Sequence, residues 1–295
     1  LAPVFCVIWV GFLFTTNVAA WSKLAAYVVV IGLVLELAHR VYWNLNSRLV
    51  TAEKRHALSA VGAACAAALP LISVIVVTWL FCSFVDGQPL SSIGLGFEPE
   101  SLSLFVAGVA VALICIALLF VIGRNVGWFR VERSGISERK LPAFCSGASD
   151  FLLAAVFEEI MVRGYVFMVI YSSWGGTAAV FGSAVIFSAF HFIKHPRMPI
   201  IFSVNAFLFG IVTGQARLVT GSLWAPMGLH FGWNLAMGPL LGMPCSGRRY
   251  ENGLVCCAVY GPEWVTGGLY SPDAGLVGTG ALLIAAAAVL FLMPI

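Results

Sequence analysis

Charge is what this sequence has least of. Only 10% of its 295 residues are Asp, Glu, Lys or Arg, where a soluble globular chain carries about 25%. The net charge is +3 and its basic residues are scattered over connectors, so no basic patch points to nucleic acid, and none is expected as a partner. Sequence repeats and low-complexity tracts are missing too. The eight cysteines include no C-x-x-C pair, which removes the commonest thiolate metal spacing. Cys6, Cys65, Cys82 and Cys115 lie in apolar runs and Cys145 beside one, as small buried hydrophobes do. Cys245, Cys256 and Cys257 occupy a polar tail loop, where a disulfide stays open as an alternative. No H-E-x-x-H occurs, so no helix offers two histidines one turn apart to a zinc ion. The first apolar run, 2–21, has no basic segment before it, which favours a spanning helix over a signal peptide.

What the chain does have is apolar sequence. It is 61% hydrophobic with a mean hydropathy of +0.99, the composition of a polytopic membrane protein. Windows of spanning length predict about nine helices at 2–21, 24–43, 57–85, 102–122, 147–171, 175–193, 199–220, 222–243 and 276–295. Breaks are expected where Pro70 interrupts the third window and Arg217 the seventh. The fold class expected is therefore all-α, with eight or nine transmembrane helices around an intramembrane cavity. Residues 1–145 form an N-terminal set of helices and loops, and 146–295 a second unit with the C-terminal helix.

Lys and Arg distribute unevenly over the connectors. Arg40, Arg48, Lys54 and Arg55 share one loop, and Arg124, Arg130, Arg133, Arg139 and Lys140 another. Lys194 with Arg197, and Arg248 with Arg249, complete a set on one side of a nine-span chain that holds thirteen of the sixteen basic residues. The 86–101 connector, with Asp86, Glu98 and Glu100, has none. By the positive-inside rule the N-terminus and the basic loops face the cytoplasm, as expected for a multi-pass protein of the cell membrane.

Against this background the stretch DFLLAAVFEEIMVRGYVFMVIY, 150–171, is anomalous. Each of Glu158, Glu159 and Arg163 costs about 2.5–3.5 kcal/mol at a helix centre on insertion scales. Glu159 and Arg163 are four apart on one face and can pair. Glu158 is rotated about 100° from Glu159 and about 140° from Arg163, so it points elsewhere. Two further helices carry polar groups: His191 in FSAFH, and His230 with Asn234 one turn apart in HFGWN. A carboxylate, two imidazoles and an amide on three helices suffice to activate a water and hold an oxyanion. Plainer readings stand beside this one. Glu159 with Arg163 can be purely structural, His191 can be an interfacial group, and His230 with Asn234 can bond between helices. Asp150 reads as interfacial, and Glu36 with His39 and Arg40 as a helix end reaching the headgroups. Asn205, Gln215 and Arg217 are polar enough to line a cavity but take no role.

The run E158-E159-x-x-x-R163, then F187-x-x-x-H191, then H230-x-x-x-N234, resembles the three motifs of the CPBP family, the CAAX-protease and bacteriocin-processing proteins also called the Abi family. TGSLWAPMGLHFGWNL and GPEWVTGGLYSPDAG look like family sequence as well, so the likeness covers about 146–275. It implies an α-helical intramembrane protease core. It also implies roles: Glu158 with His191 activates the water, His230 and Asn234 hold the oxyanion, and Glu159 with Arg163 supports the site. The substrate class implied is a peptide or protein, with prenylated C-termini among the candidates, presented at the membrane lipid. A carboxylate shielded from water beside a second carboxylate is expected to have its pKa raised toward neutrality.

Other intramembrane protease signatures are missing: no G-x-S-G and no G-x-G-D. A metal-free site is the favoured expectation. The nearest rival is a zinc enzyme with Glu158, His191 and His230 as its His₂Glu ligands. A proton-coupled transporter built on a carboxylate–imidazole relay and a non-catalytic scaffold or immunity protein are the alternatives of other classes. Against the transporter, the two halves of the chain are not alike.

Overall fold

Inside a bilayer only a helix closes its backbone hydrogen bonds within one segment, and the long apolar runs among the described residues are helical. The computed structural model describes residues 18–49, 55–134, 140–194, 198–245, 250 and 253–293. Helix α1 spans Val18–Leu49, and α2 spans Arg55–Leu80 and continues as a π-helical turn, Phe81–Val85. After a 3₁₀ turn at Leu90–Ile93 comes α3, Ser101–Asn125. Helix α4, Lys140–Glu159, passes through a π-helical segment, Ile160–Val166, into α5, Phe167–Lys194. Then follow α6, Ile200–Thr220, and α7, Trp224–Leu235, which ends in the π-helical turn Ala236–Leu240. A short α8, Glu263–Thr266, a 3₁₀ turn at Pro272–Ala274 and α9, Leu276–Leu292, complete the chain.

Eight long helices are thus present among the described residues, and most of the expected window 2–21 lies outside them. Among the described residues five helical stretches are long and apolar enough to cross a membrane, the longest being Lys140–Ile193. That stretch is divided at Gly175, whose φ of 82° and ψ of 179° are not helical. The division falls where the sequence separated 147–171 from 175–193, and glycine alone adopts this φ readily.

Two expected breaks are absent. Helix α2 runs through Pro70, as membrane helices can where neighbouring groups take up the freed carbonyl. Helix α6 runs to Thr220 through Arg217, whose guanidinium lies 5.5 Å from the Phe167 ring centroid. A feature the sequence reading lacked is an antiparallel ribbon joining β1, Phe129–Ser134, to β2, Val255–Val259. Phe129 faces Val259 and Ser134 faces Val255, with a register shift between Val131 and Arg133. The alternation F-R-V-E in β1 is strand-like, but four residues in a charged connector are too short a signal, and the partner lies over a hundred residues away.

Glycine sets the closest helix contacts. On α7, Gly228 and Gly232 press against α3: a Cβ at Gly228 would lie 2.1 Å from the Phe105 carbonyl oxygen, and one at Gly232 would lie 2.9 Å from Val109 Cα. Small residues four apart allow such approach between membrane helices. His230, midway between them, is turned about 200° from each and so faces away from α3. On α6, Gly210 and Gly214 similarly abut Ala184 and Val180 of α5. The helix α1 is tied in by its Tyr27 ring, stacked on Tyr165 of the π-helical segment with centroids 4.3 Å apart.

Candidate active site

The face of α7 opposite its glycines, the start of α6, the end of α5 and one stripe of α4 enclose a cavity of about 170 Å³. On α4 the stripe is Asp150, Ala154 and Glu158, spaced by four, so one line of side chains runs from the exposed Asp150 inward to Glu158. A rise of 1.5 Å per residue sets Glu158 about 12 Å deeper than Asp150. His191, His230 and Asn234 line the same cavity. The four groups that sequence reasoning grouped as catalytic are therefore neighbours in space.

Their geometry is specific. Glu158 Oε2 lies 3.9 Å from His230 Nε2 and 4.0 Å from His191 Nε2. Each imidazole is held from behind through Nδ1. His191 Nδ1–H donates to the Phe187 backbone carbonyl at 3.0 Å, and the Phe187 ring packs on the His191 ring with centroids 4.4 Å apart, so the i−4 residue serves with both backbone and side chain. His230 Nδ1–H donates to Glu159 Oε1 at 2.9 Å. Both rings thus present Nε2 to Glu158. The Glu158 side chain keeps 21% of its surface exposed, whereas Glu159 and Arg163 keep none.

Glu159 and Arg163 pair as their spacing predicts, with Arg163 Nη1 3.4 Å from Glu159 Oε1. The same carboxylate oxygen serves Arg163 and His230, so the pair is coupled to the site rather than separate from it. The Arg163 guanidinium also lies 4.3 Å from the centroid of the Phe187 ring, a cation–π contact. A π-helical segment carries this arrangement, and such segments are often found at functional sites. His230 does not stand opposite Glu158 and His191, as the division into a water side and an oxyanion side implied. Its Nε2 is as near Glu158 as that of His191.

Asn234 meets a thiol that sequence reasoning had left as a candidate for a disulfide. Cys245 Sγ–H donates to Asn234 Oδ1 at 3.6 Å, which assigns the amide oxygen to the wall and leaves Nδ2 as the donor for the cavity. Among the described residues, Cys245, Cys256 and Cys257 form no disulfide with one another. Three further lining residues went unassigned: Asp273, Trp233 and Tyr250. The Trp233 indole donates to Asp273 Oδ1 at 2.8 Å, and Ser271 Oγ donates to Asp273 Oδ2 at 3.1 Å. Burial raises the Asp273 carboxyl above its ordinary range, against those two hydrogen bonds and the nearby His230. The available signal was an acid in the tail stretch SPDAG, but nothing local to it showed contact with α7. Asn205 resolves as a clamp: its Nδ2 donates to the carbonyls of Asp273 and Gly275, and its Oδ1 accepts from Thr279.

The ligand types of a His₂Glu zinc site are present, and their spacing can be compared with one. Bonds of about 2.0–2.2 Å in a tetrahedron hold ligand atoms about 3.3–3.6 Å apart. The separations of 3.9 and 4.0 Å are wider, and among the described residues no group of three His, Cys, Asp or Glu has metal-holding geometry. The set is thus a few tenths of an ångström wider than a bound zinc ion would hold it.

Residues 141–236 match the family model described as Rce1-like, type II CAAX prenyl endopeptidase Rce1-like. That third of the chain contains Glu158, Glu159, Arg163, His191, His230 and Asn234, while Cys245, Tyr250 and Asp273 lie beyond it. No curated protein and no solved structure matches the chain.

Proposed function

Because this chain belongs to the CPBP family of CAAX-type intramembrane endopeptidases, we propose that it hydrolyses a peptide bond within the cavity of Glu158, His191, His230 and Asn234. The observation that supports this most is the convergence of two imidazole Nε2 atoms on Glu158 Oε2 at 3.9 and 4.0 Å. A water can bridge polar atoms at such separations. One water about 2.8 Å from each atom subtends angles of about 90° at its oxygen.

In this reading Glu158 accepts the proton of that water as it attacks the carbonyl carbon, and His191 Nε2 orients it. The carbonyl oxygen becomes an oxyanion facing Asn234 Nδ2–H and His230. Glu159 holds the His230 ring through its Nδ1–H, so that Nε2 is the atom turned to the cavity. Glu158 then returns the proton to the departing amine. Glu159 and Arg163 act as positioning groups. The substrate is a peptide with a lipid-proximal or prenylated segment. The chain sits in the cell membrane with its basic loops toward the cytoplasm, so that the Asp150 end of the cavity faces that side.

The test is cleavage of a fluorogenic peptide, prenylated or carrying an apolar segment, by purified wild type and by Glu158→Gln. Cleavage by the wild type and none by the variant is expected. Equal rates would remove Glu158 from the chemistry. A zinc mechanism is the second reading, favoured by the ligand types and by the carboxylate and carbonyl behind the two rings, a common backing for zinc-bound histidines. Activity and stoichiometric zinc lost together on chelation would establish it.

A further inference from the structure

Beside the catalytic cavity lies a second one of about 390 Å³, formed by the β2 strand, Glu132 of β1, Gly242 and Pro244. Tyr250 lines both cavities, and the chain itself passes between them, with Pro244 in the second wall and Cys245 in the first. Tyr250 is wedged in place. Its ring lies 5.4 Å from that of Phe151 on α4, and a Cβ at Gly238 would come within 3.2 Å of it. The strand wall is fixed too, because Leu254 N–H donates to Pro239 O and Cys257 N–H to Leu241 O, just beyond helix α7.

We propose that this second cavity is a peptide subsite, holding the substrate chain on the amino-terminal side of the scissile bond after it passes Tyr250. The inference rests on the protease reading above and deepens it. A substrate whose apolar or lipidated end occupies the membrane must lead its other end back to water. The second cavity adjoins the first and is walled by the β1–β2 ribbon, whose β1 lies in the connector that carries Arg130 and Arg133. It is thus at the polar end of the bundle, where the remaining polypeptide can leave. Its lining suits an extended peptide: the β2 strand runs along one wall, and Tyr250 and Leu269 offer faces for side chains. Glu132 is offset by Arg130, 4.9 Å from the Tyr260 ring centroid, and by Lys140 beside Cys256, so shape rather than charge selects the occupant.

Two peptides sharing one cleavage site test this, the first with a single residue before the bond and the second with four more. In wild type the longer peptide should have a KM lower by about tenfold, worth one decade of affinity, with kcat within about twofold. Filling the cavity with Ala258→Trp, or with Leu269→Trp from its exposed side, should erase that gain and leave the short peptide unaffected. If Ala258→Trp does not fold, Leu269→Trp alone decides. No gain from extension in wild type, or equal loss on both peptides in a folded Leu269→Trp, overturns the subsite while leaving the protease reading intact. Cleavage of neither peptide by wild type overturns the protease reading and the subsite with it.

Discussion

Glu159→Gln isolates the connection between the buried ion pair and the cavity. The wild-type carboxylate holds two partners through one oxygen, Arg163 Nη1 at 3.4 Å and His230 Nδ1 at 2.9 Å, and neither Glu159 nor Arg163 has any exposed surface. Removing one partner of a buried pair leaves the other charge uncompensated, at a cost of about 3–5 kcal/mol. The substitution also exchanges a charge-assisted hydrogen bond on His230 for a neutral one. Bonds to charged groups contribute about 1.5–3 kcal/mol and neutral ones about 0.5–1.5. The loss of roughly 1–2 kcal/mol at a positioning group lowers turnover about 5- to 30-fold. The double variant Glu159→Gln/Arg163→Met separates these effects. It removes both charges and keeps apolar bulk against Phe187, so most of the stability should return. Turnover should not, because His230 still lacks its carboxylate. Thermal unfolding in detergent micelles and kcat on the fluorogenic peptide, measured on all three proteins, give the answer. A single variant as stable and active as wild type would show the pair to be idle. A double variant that regains full turnover would show that Glu159 acts only by neutralising Arg163.

Four other outcomes are expected. Asn234→Ala should lose turnover by about 10²–10³ with little change in KM, the usual consequence of removing an oxyanion donor; full turnover with weakened binding would make the amide a substrate clamp. Cys245→Ala should lower kcat by about 2- to 13-fold, the worth of one neutral hydrogen bond, while Cys245→Ser, which still donates to Asn234, should restore it; equal loss in both would deny the thiol a positioning role. Gly228→Ala, whose new Cβ would meet the Phe105 carbonyl at 2.1 Å, should destabilise by about 1–3 kcal/mol through overpacking, whereas Gly32→Ala, with nothing within 4 Å, should be tolerated; matching melting temperatures would refute the close α3–α7 contact. Lys140→Cys should react with an impermeant thiol reagent from the cytoplasmic face, and labelling only from the outer face would invert the topology.

Much of the architecture was legible in sequence because a bilayer leaves few options. Apolar length gave the helices, and the Gly175 boundary fell between two windows. The helical wheel separated Glu158 from Glu159, since both lie in α4 before the π-helical segment begins at Ile160 and the rotation of about 100° per residue holds there. Less visible were features that depend on distant pairing. The β1–β2 ribbon joins two connectors far apart in the chain. Asp273 reaches the cavity through contacts with Trp233 and Asn205, on two other helices, beside its local bond to Ser271. Pro70 and Arg217 misled for another reason: local propensity marks them as breakers, while packing within the membrane accommodates both. The wheel also said nothing about His230, which meets Glu159 from another helix and turns an apparent ion pair into a group of three.

That group of three explains how charge is tolerated where hydrocarbon would exclude it. Separately inserted, Glu158, Glu159 and Arg163 would cost roughly 8–10 kcal/mol. Glu159 and Arg163 neutralise each other, the Phe187 ring offers its face to the guanidinium, and His230 takes the remaining direction of the shared carboxylate oxygen. Desolvation thus falls on groups whose task is to stay fixed. Glu158 is treated differently: it keeps 21% exposure, shares a cavity with the exposed Asp150, and has two imidazoles about 4 Å away instead of a cation in direct contact. The i,i+4 spacing gives the arginine to Glu159, and the neighbouring position, turned about 100° away, sets Glu158 on the cavity beside the two imidazoles.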